Sequence, residues 1–217
     1  MKKLFLFLCC FPVVVFAQTN KFFVGGSLSI SSSSYKSENS TTPYTSDVNS
    51  FTINPMAGYY LSPQLAIGLS AGYGTSQNRS TMSPTSTIKG HQFSIAPFVL
   101  YHFYSFGNFS LVGKGSIEYQ SSFSKSESTP YYIDLTESYI YSSSSKTQLY
   151  SVSVAPGITY QINNHFRAET YLGYIGYSHE KEPDNNSKTN SFSLSLSNSL
   201  IFSLLYFFWN WPESIDR

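Results

Sequence analysis

Four charged side chains stand apart in this sequence. Lys114 and Glu118 are four residues apart, and Arg167 and Glu169 two apart, each pair inside a run where apolar and small polar residues alternate. Even spacing in an extended chain places such residues on one face. Two cations and two anions facing the same way can pair with one another or line a polar channel. Other residues suggest different chemistry. Gly68-Leu69-Ser70-Ala71-Gly72 matches G-x-S-x-G, whose serine becomes a nucleophile only on a sharp strand-to-helix turn. Here it lies within an alternating stretch with no helix after it, so a chance match is expected. His91, His102, His165 and His179 lack metal-ligand spacing. Ser178, His179 and Glu180 put a hydroxyl, a base and an acid side by side. No phosphate-cradling loop or dinucleotide fingerprint occurs, so no cofactor and no metal site is expected.

The amino terminus reads as an export signal. Met1-Lys2-Lys3 is followed by an apolar run from Leu4 to Phe16 and then by Ala17. A basic start, a short apolar stretch and a small residue define a secretory signal peptide, here 1–17, with Gln18 as the first mature residue. A retained helical anchor would need about 20 apolar residues. A lipoprotein would need a cysteine at the cleavage point, whereas Leu8 precedes Cys9, and Cys10 sits mid-run. These are the two cysteines of the chain, so the mature protein is expected to have no disulfide, thiol nucleophile or cysteine metal site. Without Lys2 and Lys3 the 13 basic residues become 11 against 12 acidic ones, a net charge of −1. That balance gives no electrostatic basis for binding nucleic acid. Charged residues are 12% and aromatic residues 18%, where soluble domains carry about 25% charged residues. Such a surface does not suit water alone. No mature segment is a long apolar run, and a closed barrel is the other structure that satisfies every backbone group in lipid.

Eight segments alternate with the period of a half-exposed strand. The clearest is Leu65, Ile67, Leu69, Ala71 and Tyr73 against Ala66, Gly68, Ser70, Gly72 and Gly74. The fifth places Phe109, Leu111, Ile117 and Tyr119 outward, with Lys114 and Glu118 on the other face. The seventh places Phe166, Ala168, Thr170, Leu172 and Tyr174 outward, with Arg167 and Glu169 inward. The eighth sets Phe192, Leu194, Leu196, Leu200, Phe202, Leu204, Tyr206 and Phe208 against serines. Short connections at 62–64, 105–108 and 163–164 alternate with long ones at about 36–50, 78–89, 124–146 and 179–190. Outer-membrane barrels have this asymmetry and an even strand count. Each segment supplies the ~9–11 residues a tilted crossing needs. A soluble β-sandwich also alternates, but would not need Phe, Tyr and Leu on the outside of every strand. The expectation is therefore an all-β, eight-stranded, antiparallel transmembrane barrel over 18–208, with a short periplasmic tail at 209–217. The long stretch 124–146 is expected to project beyond the membrane, with an extra hairpin at 131–141.

Charge placement agrees with that orientation. Of 23 mature charged residues, 15 fall in the four long connections, three in the tail and one at Lys21, leaving Lys114, Glu118, Arg167 and Glu169 facing inward. A charge on the lipid face near mid-membrane costs ~2–4 kcal/mol. An eight-stranded barrel is just wide enough for side chains to fill. The four charges are therefore expected to form a paired interior network, with Lys114 meeting Glu169 across the sixth strand and Glu118 or Arg167 as alternative partners.

Three descending strands share a pattern: Thr52-Ile53-Asn54-Pro55 with Tyr59, Ser94-Ile95-Ala96-Pro97 with Tyr101, and Ser153-Val154-Ala155-Pro156 with Tyr160. The eighth has Asn198 in the proline slot and Phe202 in the tyrosine slot. Proline donates no ladder hydrogen bond, so a bulge or an unpaired carbonyl is expected at each. With Phe51 to Leu61 and Leu65 to Tyr73, the chain resembles outer-membrane β-barrel proteins of the porin-like and OmpA-like group, particularly those common in Bacteroidetes. The resemblance covers essentially the whole mature chain. It implies residence in the bacterial outer membrane, contact with its lipid, and a terminal aromatic read by the barrel-insertion machinery. Leu204, Tyr206 and Phe208 match that signal, although the chain continues to Arg217.

Three functions follow as expectations. The first is a non-catalytic structural or surface-interaction barrel with a filled lumen. Its long loops carry Tyr44, Tyr131, Tyr132, Tyr139 and Tyr141 among Ser and Thr, suiting contact with an extracellular protein or glycan. The second is a narrow porin for small solutes. The third is a lipid A-modifying enzyme, since such barrels hold catalytic residues near the external rim, where Ser178, His179 and Glu180 fall.

Overall fold

The computed structural model describes residues 21–37, 44–81, 85–128, 141–184, 186–196 and 202–208. Ten strands build the fold: β1 (Phe22–Ser37), β2 (Tyr44–Tyr60), β3 (Leu65–Ser80), β4 (Ser86–Phe106), β5 (Phe109–Ser128), β6 (Tyr141–Gln161), β7 (Phe166–Tyr171), β8 (Gly173–Glu182), β9 (Ser187–Leu196) and β10 (Phe202–Phe207). β7 and β8 form one stave of the wall, and β9 and β10 another, giving the expected eight. Neighbouring staves pair antiparallel, and β1 meets β10 to close the ring. Among the described residues no helix is long and apolar enough to cross a membrane. The expected signal peptide, the 131–141 hairpin apart from Tyr141, the 209–217 tail, and Leu200 and Asn198 lie outside the described residues.

The alternation becomes two surfaces. Ile67, Leu69, Val99, Leu111, Val152 and Val154 are exposed on the outside, whereas Phe98, Leu100, Val112 and Leu205 are buried inside. Aromatic residues gather at two levels of the outer wall. Tyr73, Phe93, Tyr119, Tyr150, Tyr177 and Phe192 meet across neighbouring strands near the upper level, with Tyr73 opposite Phe93, Tyr119 opposite Tyr150 and Tyr177 opposite Phe192. At the lower level Phe22 lies opposite Tyr59, Phe109 opposite Tyr160 and Phe166 opposite Tyr206. Two aromatic girdles around an apolar band are what the two membrane–water interfaces favour.

The three prolines resolve in two ways. Pro55 and Pro97 interrupt pairing to the following strand without moving its register, since Ile53–Tyr73 and Met56–Ser70 stay in phase, as do Ile95–Tyr119 and Phe98–Ser116. On its other edge each remains paired, with Gly26 and Leu69 respectively. Pro156 instead faces a bulge. Gly157 pairs with Tyr171 but Val154 with Ile175, so the seventh stave carries one extra residue there. Gly173 makes this possible: its φ is +152°, and a Cβ there would collide with the Ser195 carbonyl oxygen. The bulge corrects the sequence-based orientation of Tyr174, which pairs with Ser195 on the cavity side, while Ile175 and Tyr177 turn outward.

The long connections are shorter than expected because the strands continue into them. β5 runs to Ser128 and β6 begins at Tyr141, paired throughout. Serines carry the ladder into water, where Ser124 and Ser145 hydroxyls meet at 2.8 Å. On this extension the Lys125 ammonium lies 2.7 Å from Glu127 and holds its carboxyl below the usual carboxylate range.

Candidate functional site in the lumen

Inward side chains divide the lumen into two zones. At the end of the short turns Phe23, Tyr60, Leu100, Val112, Leu205 and Phe207 form a buried apolar cluster. Arg167, at 2% exposure, is embedded in it. Its guanidinium donates to the Tyr60 hydroxyl at 2.8 Å and, through Nε, to Gln161 Oε1 at 2.9 Å. It also lies 5.1 Å from the Phe207 ring centre, within cation–π range. Tyr60 Oη is 2.9 Å from His102 Nε2. The histidine and tyrosine share a buried polar strip that the guanidinium completes.

One layer higher, Lys114 and Glu169 both approach Tyr171. Lys114 Nζ is 4.6 Å from the Phe98 ring centre and 5.4 Å from that of Tyr171. The Tyr171 hydroxyl donates to Glu169 Oε2 at 3.0 Å, and Glu169 Oε1 has no hydrogen-bond partner. The direct Lys114–Glu169 pair is thus replaced by a link through an aromatic ring. Alternation cannot foresee this, because it gives a residue's face and not how far a neighbouring Tyr reaches across the lumen. Because the link is indirect, a double-mutant cycle of Lys114→Met and Glu169→Gln is expected to give a coupling of only about 0.5–1 kcal/mol. Urea unfolding followed by gel mobility measures it; a coupling near 3 kcal/mol would mean that the two charges meet directly.

Above this layer lies a cavity of about 460 Å³, lined by Ser27, Asn54, Ser70, Ser94, Lys114, Ser116, Glu118, Ser153 and Ser195 among others. Lys114 and Glu118 put one charge of each sign on its wall. The sequence-predicted charges therefore spread in depth: Arg167 is buried lowest, Glu169 is buried beside Tyr171 in the next layer, and Lys114 and Glu118 border the cavity above. Tyr60, His102, Gln161, Tyr171 and Phe207 were not foreseen as members of the network. His102 had a signal, since it continues the inward parity of Phe98 and Leu100.

The other candidates do not assemble. Ser70 sits mid-strand in β3 and donates to the Ala96 carbonyl at 3.2 Å, with no strand-to-helix turn. Ser178 and Glu180 pair with Ser191 and Thr189 on one face of β8, while His179 takes the other and lies 2.7 Å from Asn190 Oδ1. Strand alternation thus separates this base from its acid and hydroxyl. His165 lies at the turn, its Nδ1 3.1 Å from the Phe207 carbonyl, and His91 borders a smaller upper cavity. Among the described residues no group of His, Cys, Asp and Glu could hold a metal. Leu204, Tyr206 and Phe208 share the outer face of the last stave, where the Tyr206 ring lies 5.3 Å from Phe208, and Phe208 lies 5.7 Å from Phe22 across the closure.

A closed ring of eight antiparallel staves, apolar and girdled outside and polar within, defines an outer-membrane β-barrel. The chain belongs to the outer membrane protein β-barrel domain family, which matches residues 4–199. It resides in the bacterial outer membrane, with its outer wall in contact with lipid. Among solved structures it is similar to neisserial surface protein A, at 15% identity over 86% of this chain and 96% of that one, with a TM-score of 0.34. It is also similar to a major outer membrane protein of Thermus thermophilus, at 12% identity over 87% of this chain and 99% of that one, with a TM-score of 0.44. No curated protein matches.

Proposed function

We propose that this barrel is a non-catalytic structural and surface-interaction protein whose lumen is closed at the periplasmic end. The observation that carries the reading is the burial of Arg167 among Tyr60, His102, Gln161 and Phe207. A guanidinium held by hydrogen bonds and ring faces at the narrow end leaves no continuous polar path for a solute. The serine-rich strand extensions and the exposed Tyr35 and Tyr141 present hydrogen-bonding and aromatic surface to an extracellular protein or glycan. Separation of His179 from Ser178 and Glu180 speaks against rim catalysis. The insertion machinery reads Leu204, Tyr206 and Phe208 as one aromatic edge. Export removes 1–17, and N-terminal sequencing of the folded protein is expected to begin at Gln18. The deciding measurement is conductance of the purified protein in a planar bilayer. No step above the lipid background is expected; stable open channels would replace this reading with that of a narrow porin.

A further inference from the structure

The external part of the wall sorts its charges by face. On four strands a lysine stands four residues beyond an aromatic of the upper girdle: Lys89 beyond Phe93 on β4, Lys146 beyond Tyr150 on β6, Lys181 beyond Tyr177 on β8 and Lys188 beyond Phe192 on β9. Pairing is regular through each of these stretches, so the even spacing keeps lysine and aromatic on the same outward face. On β8 the acids take the other side: Glu180 and Glu182 share the face of Ser178, opposite to that of Lys181.

Cross-strand neighbours concentrate this positive charge on one side of the ring. Lys181 lies directly opposite Lys188, and Lys89 directly opposite Lys125. Like charges in that position destabilise a sheet, and an anion seated between them removes the penalty. Among the described residues, Glu127 beside Lys125 and Asp184, which accepts the Lys146 backbone N–H at 3.0 Å, offset part of the charge and leave this side net cationic. On β2 and β3, across the ring from β6 and β8, Asp47 instead lies opposite Arg79, a pair of opposite sign. Four residues of tilted strand raise each lysine about 10 Å above its aromatic. Headgroups add ~5–8 Å to each side of the hydrocarbon core, and a lysine stem bends its ammonium back toward that layer.

We propose that this outward arc, from β4 to β9, binds a phosphate-monoester lipid of the outer leaflet, with the Lys181–Lys188 pair at its centre. Lys146 reaches the same phosphate from the neighbouring strand, because it lies one outward position beyond Gln148, the partner of Lys181. Lys89 and Lys125 meet a second phosphate. The acyl chains run down the exposed Val152, Val154 and Ile175 of the apolar band. A doubly charged phosphate suits several ammonium groups, whereas a zwitterionic head brings a cation that the lysines repel. This does not depend on whether the lumen conducts or on what the strand extensions contact.

The test measures binding of diphosphoryl lipid A to the full-length barrel in neutral-detergent micelles by native mass spectrometry, beside the same lipid stripped of both phosphates. The phosphorylated lipid is expected to bind at least tenfold more tightly; equal binding would overturn the proposal. Lys181→Gln combined with Lys188→Gln is expected to weaken binding of the phosphorylated lipid at least fivefold. Lys36→Gln combined with Arg79→Gln, outside the arc, is expected to change it less than twofold. No loss from the first variant, or equal losses from both, would mean a diffuse effect of charge and overturn the arc. Lys146→Gln replaces the first variant if that one does not show the folded gel mobility, with a loss of at least twofold expected and an unchanged affinity overturning the site. Glucosamine 1-phosphate, which has no acyl chain, is expected to bind at least a hundredfold more weakly; equal affinity would mean a site for soluble phosphate and not for lipid.

Discussion

Replacing Arg167 with methionine is expected to destabilise the folded barrel by roughly 3–5 kcal/mol, the range for removing one partner from a buried polar network. The side chain is 2% exposed, so water does not substitute for it. Its removal deprives Gln161 Oε1 and the Tyr60 hydroxyl of their guanidinium donor and leaves the buried carboxyl of Glu169 without a neighbouring cation two residues away. Methionine preserves much of the volume against Phe207, so the loss reports charge and hydrogen bonds more than a cavity. Arg167→Lys is expected to recover part of the loss, because a compact ammonium cannot reproduce a planar fork stacked on an aromatic ring. The measurement is the urea midpoint of the folded band on unheated gels. A midpoint equal to that of the parent would mean that the cluster does not hold the lower lumen together.

Gly25→Val is expected to have the larger effect and to abolish the folded band. Gly25 lies in the four-residue ladder between β1 and β10, opposite Leu205. A Cβ at this position would collide with the Leu204 carbonyl oxygen and approach Leu205 Cα to 2.8 Å, both backbone atoms that a rotamer change cannot move. Because Gly25 sits in the ladder that closes the ring, pushing these strands apart leaves open edges that lipid does not tolerate. Gly115 in β5 supplies the contrast: nothing lies within 4 Å of a Cβ built there. Gly115→Ala is expected to fold normally. Equal yields of folded Gly25→Val and parent barrels would mean that closure does not need this close approach.

Much of the architecture was legible because a transmembrane strand is a local object. Side chains alternate with period two, lipid and lumen differ sharply in polarity, and each residue's face is therefore written in its own segment. Leu65 to Tyr73 reads correctly for that reason, and the inward placing of Lys114, Glu118, Arg167 and Glu169 follows from the cost of charge in lipid. The count of eight staves and the short turns at one end follow from segment spacing. Where the local rule breaks, reading fails with it. The extra residue at Leu172 and Gly173 turns Tyr174 to the cavity side, because a one-residue slip exchanges the two faces.

The sequence by itself determined the orientation of the wall: which side chains meet lipid, which meet the lumen, and where the chain turns. Only the tertiary structure decided who meets whom inside. Tyr60, His102 and Arg167 come from three strands up to 107 residues apart, and their meeting depends on stagger around the ring. The same stagger puts Tyr171 between Lys114 and Glu169. Period two specifies the face of each residue but not the relative sliding of strands. Depth in the lumen is set by the sum of all the registers, bulges included, and no single segment contains that sum.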